Sequence, residues 1–266
     1  MGYETNPSST RSVELRKEAS LVPDWSRWRL GPVAKAVGDL LFPSPCVICE
    51  ADDGPICEGC REEMITASAS QCPRCAMAAG PWANLNSGCS WCRDRRLGFD
   101  AAVSLGPYQG PIRELCLNLK NEKQAWRARW AADLLVEARA ETLRGYKADL
   151  VVAVPLHWWR RLKRGYNQAE ALASHLARRL GLPKVHALRR VEHTPKLADR
   201  SRGERAELLR TAFRARNGML LNGRTVLLVD DILTTGATCG AAARALKTAG
   251  ATKVVAVVLG RSEGRK

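Results

Sequence analysis

Four short apolar runs punctuate the chain after residue 99, and polar or helix-period segments separate them. Asp100 to Leu105 is the first, Leu150 to Val154 the second, Val226 to Val229 the third and Val254 to Leu259 the last. The later three are β-branched or aliphatic without alternation, which suits strands buried on both faces of a parallel sheet. Between the runs, Ile112 to Lys120 and Gln124 to Arg144 read as helices. Asn167 and Glu170 form a capping-box pair ahead of a helix whose Leu172, Leu176 and Leu180 share one face and which Gly181 ends. Cys239 to Ala249, rich in alanine and stopped by Gly250, is the last helix. Strands alternating with helices predict right-handed βαβ crossovers. The expected fold is therefore an α/β, doubly wound parallel sheet, with ligands beyond the carboxyl ends of its strands.

The first hundred residues have another texture. Residues 1–23 are rich in Ser, Thr, Glu, Arg and Pro and are expected to be a disordered tail. Over 24–43, Trp25, Trp28, Leu30, Val33, Val37, Leu40 and Leu41 recur at helical spacing, which predicts an amphipathic helix packed on a neighbouring domain. Over 44–97, four Cys-x-x-Cys pairs follow one another: Cys46/Cys49, Cys57/Cys60, Cys72/Cys75 and Cys89/Cys92. Two thiolates so spaced grip one side of a tetrahedral zinc, and a second pair closes the site. Eight cysteines fit two structural Zn2+ ions, in a stretch with too few large apolar residues to fold on burial alone. Neighbouring pairs could share a metal, or pairs could interleave. Cys116 and Cys239 fall outside the pattern and read as small buried residues.

Composition narrows the setting. No run of 18 apolar residues exists and the N-terminal residues lack the apolar stretch of a secretory signal, so no membrane insertion and a cytoplasmic location are expected. In that reducing compartment the cysteines favour metal over disulfides. Formal net charge is +15. From His157 to Arg216 sixteen Lys/Arg stand against five Asp/Glu, so this stretch carries +11 of it. Such a field draws in polyanions, whether a pyrophosphate or nucleic acid.

The candidate chemistry sits where the third strand ends. Val226-Leu-Leu-Val-Asp230-Asp231-Ile-Leu-Thr234-Thr235-Gly236-Ala237-Thr238 joins a buried strand, two carboxylates, a hydroxyl-rich turn and a helix start. Amides at a helix start accept a phosphate, with the Thr hydroxyls as further donors, and the acids ahead of them can take hydrogen bonds from a sugar diol. No Gly-x-x-x-x-Gly-Lys-Ser/Thr sequence occurs, which disfavours a nucleotide-triphosphate P-loop. A second loop, Pro155 to Gln168, leaves the same edge of the sheet and carries His157, Trp158, Trp159, Arg160, Arg161, Lys163 and Arg164. Its guanidinium groups suit pyrophosphate or a DNA backbone, and its tryptophans could stack bases or simply cover the domain edge.

The unit around Asp230 resembles the phosphoribosyl-pyrophosphate (PRPP) signature of type I phosphoribosyltransferases. With the Cys pairs and the element Arg164-Gly165-Tyr166-Asn167-Gln168, the chain from about residue 30 onward resembles the ComF family. The resemblance implies a double zinc ribbon fused to a phosphoribosyltransferase-like domain over 98–266, in a cytoplasmic bacterial protein associated with natural competence. It implies PRPP with Mg2+ as ligand: Asp230 and Asp231 at the ribose hydroxyls, Thr234, Thr235, Gly236, Ala237 and Thr238 at the 5′-phosphate. Arg160, Arg161 and Arg164 are candidates for pyrophosphate or DNA backbone contacts. Single-stranded DNA and helicase or recombination proteins are the implied partners. Two segments depart from the family pattern, with Lys196 where Gln is usual and Leu208 where Asn is usual. No general base stands out, so three readings remain: a module that handles single-stranded DNA, a transferase moving phosphoribose from PRPP to an unknown small acceptor, or a purely interacting protein whose zinc ribbon docks helicase or recombination partners.

Overall fold

A computed structural model of the chain describes residues 45–51, 53–66, 70–80, 82–85, 87–120, 126–156, 165–191 and 212–263. All of them fall within one compact unit, Pro43–Lys266. The expected disordered tail at 1–23 and amphipathic helix at 24–43 lie outside the described residues.

Each apolar run becomes a strand of one parallel sheet. Strand β1 (Ala101–Pro107) pairs with β7 (Lys253–Arg261), β7 with β5 (Thr225–Val229), and β5 with β2 (Leu150–Ala153), giving the order β1-β7-β5-β2. A two-residue strand, β6 (Ile232–Leu233), also pairs with β7, beside Gly260 and Arg261. The central strands β5 and β7 are apolar at every buried position except Arg261, at the end of β7, because both faces of the sheet are covered.

Alternation along the strands sorts the core into two layers. On one face Val103, Leu105, Val151, Leu227, Val229, Val255 and Val257 pack under helices α2 (Gly110–Asn118), α3 (Arg127–Gly145) and α4 (Gln168–Leu180). On the other, Ala102, Val152, Val226, Leu228, Val254, Ala256 and Val258 pack under α5 (Ala237–Thr248) and an antiparallel hairpin of β3 (Leu188–Arg190) and β4 (Phe213–Ala215). The sequence pattern does not predict that hairpin. Its strands are three residues each, too short to show periodicity, and a long intervening segment hides their pairing.

Helix ends follow local chemistry, with two corrections. Asn167 caps α4, its side chain accepting from Ala169 N–H at 3.2 Å, and Gly181 ends it in the left-handed conformation. Glu170, the expected other half of a capping box, instead directs its carboxylate to Lys184 Nζ. Helix α5 begins at Ala237, two residues before the expected Cys239, because Gly236 takes a φ of 77° and turns the chain straight into it.

The Cys-rich segment is built against this sheet. Helix α1 (Glu58–Thr66), which follows Cys57, buries Met64 and joins Cys46, Cys57 and Cys60 to the α2/α3/α4 face. Cys72, Cys75 and Cys92 join the α5 face. The two halves thus straddle β1, an edge strand. Along that edge Ala102 N–H donates to Pro73 O at 3.1 Å, and the Gln71 amide both accepts from Ser104 N–H and donates to Ser104 O. A parallel sheet leaves its edge groups in need of partners, and the Cys-rich segment supplies them. Among the described residues no helix is long and apolar enough to cross a membrane.

Candidate functional site

Asp230 and Asp231 stand where β5 releases the chain. Asp230 N–H still bonds to Val257 O, while Leu259 and Gly260 N–H bond to Asp231 O, so the turn is pinned to β7 on both sides. Period-two alternation sends the two carboxylates to opposite faces. Asp230 Oδ1 accepts from Asp231 N–H at 2.9 Å, and its Oδ2 lies 3.7 Å from Cys239 Sγ at the start of α5. Burial, reinforced by the Asp231 charge, pushes the Asp230 carboxyl well above the usual carboxylate range.

The turn that follows is exposed at Thr234 and Thr235 and buried at Gly236. Gly236 is favoured by its left-handed φ, and a Cβ there would also press on the Phe99 ring at 3.3 Å. Thr235 Oγ1 lies 3.4 Å from Ala237 N, and Gly240 N–H makes an early intrahelical bond, back to Gly236 O. Helix-start amides and the Thr235 hydroxyl therefore lie together in the turn that follows the acids, groups of the kind that bind a phosphate.

The second loop returns to the same place. Its described ends, Pro155–Leu156 and Gly165–Gln168, are joined where Asn167 Nδ2 donates to Val154 O at 3.1 Å. Gln168, 6% exposed, donates from Nε2 to Asp231 Oδ2 at 3.0 Å. Its Oε1 is buried without a partner among the described residues. Gln168 thereby joins the candidate site, though residue-by-residue reading passes over it as part of a helix start and only the Arg-Gly-Tyr-Asn-Gln element flags its neighbourhood. His157, Trp158, Trp159, Arg160, Arg161, Lys163 and Arg164 lie outside the described residues, as do Lys196 and Leu208.

The eight paired cysteines form two clusters of four, and neighbours share a cluster: Cys46, Cys49, Cys57 and Cys60 in the first, Cys72, Cys75, Cys89 and Cys92 in the second. Within each, all four sulfurs lie within 4.8 Å of one another. Cys49–Cys57 is 3.5 Å, Cys72–Cys92 3.7 Å, Cys75–Cys89 3.5 Å and Cys89–Cys92 3.8 Å. Thiolates 2.3 Å from a tetrahedral zinc stand about 3.8 Å apart, so both clusters fit the ion with no ligand to spare. In each cluster backbone amides hold one thiol toward the thiolate, while burial and the neighbouring sulfurs push Cys60, Cys75 and Cys92 up. Burial alone would raise Cys46, but N–H groups of Cys49, Cys57 and Ile48 outweigh it and bring its pKa to about 6. Cys72 is brought to about 7 in the same way, against burial, by N–H groups of Arg74, Cys89 and Cys75. Cys116 and Cys239 are buried apart from both clusters, Cys116 with its sulfur 3.9 Å from Asp231 O.

Sheet, acid turn and paired four-cysteine clusters together define a phosphoribosyltransferase-type domain carrying a double zinc ribbon. Family models agree: residues 166–266 match the phosphoribosyl transferase domain and residues 37–95 the double zinc ribbon domain. Among curated proteins, a DNA utilization protein YhgH of Salmonella typhimurium is 30% identical over 81% of this chain and 96% of its own length. Competence protein F of Haemophilus influenzae is 29% identical over 80% of this chain and 95% of its own. The chain belongs to the ComF family, whose members these are. A solved adenine phosphoribosyltransferase from Leishmania tarentolae aligns with 55% of this chain and 74% of its own at 16% identity and a TM-score of 0.33, too slight a likeness to add to the topology above.

Proposed function

We propose that this protein binds PRPP with Mg2+ at the acid turn and works in natural transformation, handling incoming single-stranded DNA in the cytoplasm. The observation that carries this reading is the convergence, at one strand end, of two acids, a Thr-Thr-Gly turn opening a helix, and Gln168 from the neighbouring strand's loop. Asp230 and Asp231 take the ribose hydroxyls. Residues Thr234, Thr235, Gly236, Ala237 and Thr238 take the 5′-phosphate. Mg2+ enters on the pyrophosphate, whose remaining charge suits Arg160, Arg161 and Arg164 of the basic loop. Gln168 holds the Asp231 carboxylate in place through its amide and offers Oε1 to a ribose hydroxyl. The DNA setting is supported by the names of the relatives, competence and DNA utilization, and by the +11 charge of residues 157–216.

Calorimetric titration of Mg2+/PRPP into wild type and the Asp230→Ala, Asp231→Ala double variant tests the pocket. Loss of two carboxyl groups that hydrogen-bond the sugar predicts a loss of about 100-fold or more in affinity, and unchanged affinity rejects the assignment. For DNA, replacing Arg160, Arg161 and Arg164 by Ala should make the negative slope of log affinity against log salt shallower by about 2. A slope equal to wild type removes those residues from the backbone contact.

A further inference from the structure

Arg261, the last residue of β7, is only 2% exposed and lies between the second cysteine cluster and the phosphate turn. Its Nε donates to the carbonyl of Cys75, itself a cluster ligand, at 2.8 Å. Its Nη1 donates to Leu233 O at 2.9 Å and Thr234 O at 2.7 Å, on the far side, and also to Ser262 O. The guanidinium carbon stands 4.2 Å from the ring centroid of Trp91, which lies between the ligands Cys89 and Cys92. No carboxylate pairs with Arg261 among the described residues, and its Nη2 is buried without a partner among them.

A buried guanidinium stays charged and is costly without a counter-charge. The metal-free cluster, in which most sulfurs keep their protons, supplies little of one. Four thiolates around Zn2+ carry a net charge of −2, next to this cation. Metal loading therefore compensates Arg261, and Arg261 in turn holds the carbonyls of Leu233 and Thr234, which open the Thr234–Thr238 turn. The same side of the molecule is locked mechanically. A Cβ on Gly240 of α5 would lie 2.1 Å from Leu97 O, and one on Gly98 would lie 2.5 Å from Gly240 O, so the chain leaving the second cluster runs directly against the helix that begins at the turn.

We propose that Arg261 is a positioning residue that couples metal at Cys72, Cys75, Cys89 and Cys92 to ligand at the Thr234–Thr238 turn. Occupancy of either site then strengthens the other by the same factor, because coupling of two binding equilibria is reciprocal. This inference rests on PRPP binding at that turn, as proposed above.

The test measures zinc retention against a graded chromogenic chelator by the full-length, two-zinc protein, with and without saturating Mg2+/PRPP. In wild type, PRPP should strengthen retention of one zinc about tenfold and leave the other unchanged, a coupling of ordinary size. In Arg261→Met the tenfold effect should fall to about one, with both zincs still bound at low chelator. Arg261→Lys keeps the charge but not the rigid fork that reaches both sides; it should retain two zincs and show a reduced effect, and it serves if the Met variant does not fold. Full coupling in the folded Met variant, or in the Lys variant when it serves in its place, overturns the role of Arg261. Wild type that binds PRPP with no change in zinc retention overturns the coupling and leaves the proposed function standing. Wild type that fails to bind PRPP at all overturns that function, and the inference with it.

Discussion

The two cysteine clusters share a ligand set and differ in what they hold. The first sits on the α2/α3/α4 face, where Asn118 Nδ2 donates to Val47 O at 2.7 Å and Arg61 pairs with Glu137 of α3. Those contacts tie it to helices, and the ion pair is exposed, so it contributes little. The second closes the edge of the sheet through Gln71 and Pro73 and, through Arg261, reaches the start of the Thr234–Thr238 turn. One cluster is a fastening for the helical layer; the other shares a buried cation with the Thr234–Thr238 turn. Identical metal chemistry thus produces different leverage, and the difference comes from the carbonyls and side chains around the metal rather than from the ligands.

Removing one ligand from each cluster is the harshest test of that contrast. Structural zinc can contribute about 10–16 kcal/mol in isolated finger peptides, so Cys46→Ser and Cys75→Ser should each lower bound zinc from two per chain to one, measured by metal analysis. Cys75→Ser should weaken Mg2+/PRPP binding about tenfold, whereas Cys46→Ser should leave it within about threefold. Equal losses from both would erase the distinction.

A gentler probe uses two glycines. Gly240→Ala forces a methyl into the Leu97 carbonyl at 2.1 Å and should cost about 1–3 kcal/mol, read as an earlier denaturation midpoint and a raised PRPP dissociation constant. Gly59, in the first turn of α1 beside the first cluster, is exposed and has nothing within 4 Å of an added Cβ. Gly59→Ala should therefore stabilise slightly, by about 0.5 kcal/mol, with binding unchanged.

The acids carry the contrast into pH. Asp231 faces the Gln168 amide; Asp230 is desolvated beside Cys239 on the second cluster's face. Because folding raises the Asp230 pKa, the native state keeps a proton that the unfolded chain has already lost. Its contribution to stability is greatest below the ordinary carboxylate range, falls as pH rises through the window up to the raised value, and levels off above it. Each unit of that shift is about 1.4 kcal/mol. Asp230→Asn should remove this pH dependence and raise the melting temperature at pH 8 by about 2–4 °C per kcal/mol, while weakening PRPP binding. A variant as pH-dependent as wild type would show that Asp230 is not the desolvated acid.

Much of this architecture is written locally. Leu150–Val154, Val226–Val229 and Val254–Leu259 announce buried parallel strands because every position on them must be apolar, and Asp230 to Thr238 announces its turn because strand, acids, hydroxyls and helix start are contiguous. The Cys-x-x-Cys spacing likewise declares a metal grip, since two thiolates two residues apart need no help from the rest of the fold. What depends on distant segments was not legible there. Which pairs of cysteines share an ion, how Gln71 meets the β1 edge, why Gly98 and Gly240 must both lack side chains, and how Gln168 reaches Asp231 are all decided by packing between elements far apart in the chain. Arg261 is the clearest case. In sequence it is one more cation in a chain of net charge +15; only burial between Cys75 O and Thr234 O, which withdraws its charge from water and leaves it to be balanced from within, makes it different from the others.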